Sequence, residues 1–127
     1  MSKIESILGS MEFDPMTDKH SGFEENKSFW HTRTLIKAAQ DQDCIRFKHY
    51  LRSCHFSNYS KYMSPLEMAR EYKRIERADL KYPIILCPWG DVVDGTHRIT
   101  KALVLGREWV WAYRLKTMPE PDQKNGK

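Results

Sequence analysis

Between Asp91 and Gly106 the chain reads DVVDGTHRITKALVLG, which crowds Asp94, His97, Arg98 and Lys101 into two helical turns behind a glycine. The apolar run DVV reads as a strand, Gly95 as the turn, and His97 to Leu105 as a helix that Gly106 ends. Cations are out of place there. Aligned peptide dipoles make a helix start unfavourable for positive charge by about 0.3 to 1 kcal/mol per group. An anion lying against the turn would remove that penalty. Backbone N–H groups of the helix start would point at it, Gly95 would leave the backbone approachable, and Asp94 or Thr96 would cap the helix. Gly95, Thr96, His97, Arg98 and Lys101 are therefore the candidate phosphate- or nucleotide-binding set. A plainer account is that DG is an ordinary turn and that Arg98 and Lys101 pair with Asp91 or Asp94.

If the bound anion is a phosphoryl group, its transfer needs neutralisation of the moving oxygens, a group to orient the nucleophile and a route for a proton. Arg98, Lys101 and the turn amides suit the first task. Asp94 suits the second, by orienting Mg²⁺ or the acceptor hydroxyl, and His97 can donate to a phosphate oxygen or act as an acid. A carboxylate base would come from Glu71, Glu67 or Asp79, with Glu71 best placed to reach the turn. Each is also a plausible member of a surface ion pair. GxxxxGK[ST], HExxH and GxSxG patterns are missing, and His20, His31 and His49 lack metal-ligand spacing.

Several elements must position these residues. Ser2 to Leu8 has the spacing of a short helix with a capping box, followed by a polar, breaker-containing arm. Thr32 is placed to cap a helix of about two turns that turns Leu35, Ile36 and Ala39 inward. CIRFKHYLRS alternates as a strand, with Ile45, Phe47, His49 and Leu51 on one side and Arg46, Lys48 and Tyr50 on the other. Ser64, Pro65 and Glu67 form the clearest helix start in the chain. Leu66, Ala69, Tyr72 and Ile75 make that helix's inner face, and Arg70, Lys73, Arg74, Arg77 and Lys81 its basic face, interleaved with acids. YPIILCP is a buried strand. REWVWAYRL closes the order with Trp109, Trp111 and Tyr113 on one face, a stripe that suits either core packing or stacking on nucleobases. The tail KTMPEPDQKNGK is proline-broken and expected to fray.

The 127 residues suffice for one domain with a real core, and 40% hydrophobic with 30% charged residues is the composition of a soluble globular chain. The net charge of +4 alone decides nothing about nucleic acid. No apolar run approaches the roughly 18 residues that span a bilayer, and Glu5 interrupts the apolar region a signal peptide would need. A cytoplasmic protein with no membrane partner is expected. Cys44, Cys54 and Cys87 are odd in number and lack a CxxC pair, so reduced thiols are expected. The pattern predicts a compact α/β (α+β) domain over residues 28–118, a small mixed sheet with flanking helices, between an arm at 1–27 and a tail at 119–127.

YPIILCPWGDVVDGTHRITKALVLG also resembles the core of the ParB N-terminal and sulfiredoxin-like superfamily. It is most similar to the small stand-alone ParB-like proteins of bacteria and their viruses, which carry aDLxYPIIL, DGxHRxxKAlxxG and a PEPD tail. Those motifs fall here at Ala78 to Leu86, Asp94 to Gly106 and Pro119 to Asp122, and with FWHTRTLIKAAQ the resemblance spans about residues 28 to 122. It implies the superfamily fold and a phosphate site on the turn. Partition proteins hold CTP there through GERR, of which Gly95 and Arg98 match; they read DNA through a further helix-turn-helix domain, and a CTP-gated clamp is not expected here. In sulfiredoxins the turn is GCHR, and Thr96 stands where the reactive cysteine would be, which argues against that activity. Relatives that act as free-serine kinases share a DGxHR turn and take a base from the preceding helix; Asp94, Gly95, His97 and Arg98 match.

The expectation is a nucleotide- or phosphate-binding protein that transfers a phosphoryl group or hydrolyses a nucleotide. Its cofactor would be ATP, ADP or CTP with Mg²⁺, and Asp94, His97 and Glu71 would do the chemistry. The alternative is a non-catalytic module that binds nucleotide or nucleic acid and regulates another macromolecule.

Overall fold

The computed structural model describes residues 22–54 and 64–124; the candidate helix at Ser2 to Leu8 and most of the loop after Cys54 lie outside the described residues. A hairpin comes first, with β1 at Gly22–Glu25 and β2 at Ser28–His31. It is followed by helix α1 (Thr32–Asp41), strand β3 (Phe47–Tyr50), a single 3-10 turn at Leu51–Ser53 and helix α2 (Pro65–Arg77). Strands β4 (Ile84–Leu86) and β5 (Val92–Asp94), helix α3 (Thr96–Val104), and strands β6 (Trp109–Arg114) and β7 (Gln123–Lys124) complete the order. The architecture is mixed α/β with two small sheets, and among the described residues no helix is long and apolar enough to cross a membrane.

The larger sheet has the order β3-β6-β4-β5, with β6 parallel to β4 and antiparallel to β3. Alternate residues leave a strand on opposite faces, and this sheet is covered on both. Ile84, Leu86, Val92, Val110 and Ala112 pack with Ile99 and Ala102 of α3. Ile85, Val93 and Tyr113 pack with Leu35, Ala38 and Ala39 of α1 and with Phe23 and Trp30 of the hairpin. Double coverage is why β4 is apolar at every position.

The second sheet, β1-β2-β7, was not foreshadowed by the pattern, because β7 pairs with β2 from the far end of the chain. The tail expected to fray is tied down as far as Lys124. Trp30 Nε1 donates to the Pro119 carbonyl, and Asp122 accepts from the His31 amide and the Thr34 hydroxyl at 2.8 and 2.7 Å. These bonds also correct the start of α1. Its N-cap is His31, with no side-chain cap of its own, Thr32 is buried in the first turn, and Asp122 supplies the carboxylate. Those hydrogen bonds to the charged form hold Asp122 below the usual carboxylate range.

Two other expectations change. Ile45 is exposed, because β3 begins only at Phe47; the alternation holds from there. In α2 the capping box of Ser64 and Glu67 forms as its spacing dictates. The face at Leu66, Ala69 and Tyr72 is exposed, however, and the helix meets the body through Glu71 and Ile75 instead. A three-residue apolar repeat drifts around a helix of 3.6 residues per turn, and here the polar side of that drift faces the neighbouring helix.

Candidate functional site

Helices α2 and α3 lie side by side and run the same way, since Glu71 meets His97 and, a turn further on, Glu76 and Ala78 meet Lys101. The site at their junction is built by three pairings, each of which gives one basic side chain at the start of α3 a partner from the protein itself.

His97 contacts Glu71, Nε2 to Oε2. With Glu71 ionised, the Nε2–H donates and Nδ1 is left as the ring's acceptor. The other oxygen of Glu71, Oε1, has Arg74 Nη1 at 3.6 Å. Both members of the dyad are about one-third exposed, so it sits at the surface of the helix junction, open to solvent. Glu71 does therefore reach the turn; Glu67 is spent on the cap of α2, and Asp79 accepts from the Lys81 amide.

Arg98 is the most buried charged residue described, 8% exposed, and its Nη2 donates to Asp94 Oδ2 at 2.9 Å. The two carboxylates and the guanidinium are thus arranged for the fold as much as for a ligand, and Asp94 neither caps α3 nor stands free to hold a metal ion. Lys101 points away from the turn. Its Nζ donates to the carbonyls of Glu76 and Ala78 at 2.8 and 2.6 Å, which places an ammonium on the negative end of α2. The cationic helix start therefore balances without a visiting anion, contrary to the phosphate-binding role expected of Lys101.

Gly95 is likewise explained from within. It is the N-cap of α3 at φ +111, and no side chain caps the helix, neither Asp94 nor Thr96. A Cβ built on Gly95 would lie 2.7 Å from the Cβ of Ile84 and 3.2 Å from its Cα, with Cγ2 closer still. The missing side chain makes room for β4, whose register puts Ile85 opposite Asp94. Thr96 is half-buried, and its carbonyl accepts from the Thr100 hydroxyl at 2.8 Å. What remains for a ligand is the backbone at the start of α3 and the exposed edge of the Glu71–His97 dyad.

No group of three or more His, Cys, Asp and Glu side chains is placed to hold a metal ion among the described residues. The thiols offer no alternative chemistry. Cys44, Cys54 and Cys87 are free, and burial raises all three above the usual thiol range, so they stay protonated near neutral pH. That Glu71 could reach the turn was legible in the sequence; its pairing with His97, the engagement of Lys101 and the burial of Arg98 were not, because all three depend on how α2 lies against α3. Comparison with family models, with curated proteins and with solved structures finds no match to this chain.

Proposed function

We propose that the chain is a ParB/sulfiredoxin-like domain that binds a nucleotide or another phosphorylated small molecule at the start of α3 and transfers or hydrolyses its phosphoryl group. The observation that carries this reading is the Glu71–His97 dyad beside the turn. A carboxylate that holds one imidazole nitrogen fixes the ring's orientation and tautomer and leaves the other nitrogen to take a proton, the division of labour seen wherever carboxylate and histidine activate a hydroxyl. In this reading Glu71 positions His97, and His97 Nδ1 accepts the proton of the attacking hydroxyl or water. The amides of the first turn of α3, with the helix dipole behind them, receive the phosphate oxygens. Arg98 contributes field from beneath the turn while it stays paired with Asp94.

Asp94, engaged by Arg98, does not suit a protein-held Mg²⁺, so the divalent ion belongs with the nucleotide's own phosphates. The sequence resemblance adds the free-serine kinases as a chemical model, in which a helix carboxylate works with the DGxHR turn.

The test uses the full chain with ATP, ADP and CTP, each with Mg²⁺, and follows release or transfer of phosphate together with thermal stability. Arg98→Ala is a poor probe, since it strands Asp94. Glu71→Gln and His97→Asn are the informative variants. Turnover that both reduce by about 10² to 10⁴, with the nucleotide-dependent thermal shift retained, supports the reading. A thermal shift without turnover reassigns the domain as a non-catalytic nucleotide-binding module, and the absence of both refutes a nucleotide site.

A further inference from the structure

The larger sheet is not covered evenly. Tyr113 lies beneath α1 at 2% exposure, but Trp109 and Trp111, on the same face of β6, extend past that layer and are only partly buried. Register places Lys48 of β3 opposite Trp111, and Tyr50 opposite Trp109. Tyr50 is 50% exposed. The result is a patch where aromatic rings and cations alternate. Lys48 Nζ sits 4.6 Å from the centre of the Trp109 ring, and Arg46 Cζ 5.3 Å from that of Trp111. The two indoles meet edge to face, 4.9 Å between centres.

The electrostatics of this patch differ from those of the helix junction. Arg98, His97, Lys37 and Lys124 each have a carboxylate partner. Arg46 and Lys48 have none within ion-pair distance among the described residues; their neighbours are π faces. Exposed Arg52 and Arg107 stand at the same end of the strand pair, where the Leu51 amide bonds the Glu108 carbonyl. Asp43 and Glu108 are the acids that flank these strands in sequence, leaving cations in excess. A cation over an indole is held by about 0.5 to 1 kcal/mol at an exposed site, less than a phosphate contact offers. The lysine and arginine can swing to an anion and bare the rings beneath.

We propose that this face binds single-stranded DNA. Unpaired bases stack on Trp109, Trp111 and Tyr50, and Lys48 and Arg46 take the phosphates between them. The Cα atoms of residues two apart on a strand are about 7 Å apart, and the edge-to-face indoles present differently oriented ring surfaces, with Tyr50 on the neighbouring strand as a third ring for unstacked bases. Duplex DNA, whose bases are already stacked and whose surface is a phosphate rod, gains only the charge contacts. Among the described residues of the patch Tyr50 carries the only hydroxyl, and none of them is arranged to select a ribose 2′-hydroxyl, so a deoxy strand is the occupant. This face is independent of the Glu71–His97 dyad.

The test measures binding of a fluorescent oligo(dT) at low salt to the full chain, against a duplex of equal length and against oligo(U). Expected are preference for oligo(dT) over duplex, quenching of tryptophan emission on binding, and a log–log salt slope near −0.7 for each phosphate neutralised. Lys48→Glu combined with Arg46→Glu, both surface changes, should weaken binding at least tenfold while the melting temperature holds. Trp111→Phe should lose part of the quenching without loss of fold, and Glu71→Gln should bind like the parent. No binding at low salt, equal binding of duplex, or indifference to the double charge reversal overturns the proposal. Tighter binding of oligo(U) overturns the choice of DNA.

Discussion

Replacing Gly95 with alanine separates two reasons for a glycine in the turn. If its purpose is to let β4 approach, the cost is large and present in the ligand-free protein. If it keeps the backbone clear for a ligand, the cost is only that of the backbone conformation. Gly90 supplies the control, because its φ of +98 is close to the +111 of Gly95, while nothing lies within 4 Å of where its Cβ would be. An L-residue in this region costs about 1 to 2 kcal/mol, and that is the whole expectation for Gly90→Ala. At Gly95 the new methyl meets Ile84, 0% exposed in a central strand, with atoms of its Cα and Cβ at 3.2 and 2.7 Å. Forcing a carbon into such a contact adds about 1 to 3 kcal/mol, so Gly95→Ala should cost about 2 to 5 kcal/mol in all, a large share of the 5 to 15 kcal/mol a domain possesses. Urea titrations at 25 °C, followed by circular dichroism and tryptophan emission, measure both variants on one scale. Equal losses, within about 0.5 kcal/mol, would refute the reasoning and return Gly95 to a ligand-facing role.

Lys101→Met keeps the length of the side chain and removes both bonds to the end of α2; about 1 to 3 kcal/mol of stability should go with them, whereas Lys73→Met on the exposed face of α2 should fall within about 0.5 kcal/mol of the parent in the same titration. Asp122→Ala should cost about 1 kcal/mol, the usual worth of a cap, and Asp122→Asn should recover part of it. The folded protein holds the Asp122 carboxyl below its unfolded range, so its contribution is complete above that range and fades as pH falls through the lowered value. Denaturation curves from neutral to acid pH should accordingly converge for parent and Asp122→Ala, and a gap that widens in acid would show the sign to be wrong.

Legibility in the sequence followed the range of the interaction. The α2 start could be read because Ser64 and Glu67 satisfy each other three residues apart. β4 could be read because burial on two faces leaves an unbroken apolar run, and the end of α3 because Gly106 takes a positive φ where a helix stops. The cap of α1 could not, since its carboxylate comes from Asp122, and Thr32 looked as good a cap by residue type as any. At the site, the clustering of His97, Arg98 and Lys101 was visible, but charge spacing does not say which way a side chain turns. Lys101 follows the C-terminus of α2 and Arg98 goes under the turn, so the same residues that suggested an anion site are largely occupied in holding α2 to α3. The face of α2 was misjudged for a related reason: apolar periodicity marks the side able to be buried, and here polar pairings fix which side is.

The cap that Asp122 places on α1 crosses 91 residues of chain. At a synthesis rate of about 5 to 20 residues per second, the ribosome finishes α1 at Asp41 roughly 4 to 16 s before it makes the acceptor for the His31 amide and the Thr34 hydroxyl. Throughout that interval the emerging polypeptide holds a helix whose start lacks its carboxylate and a hairpin without its third strand. Synthesis must therefore pass Lys124 before the small sheet can close on β2, and a product cut short ahead of Asp122 would lack both the carboxylate and the third strand.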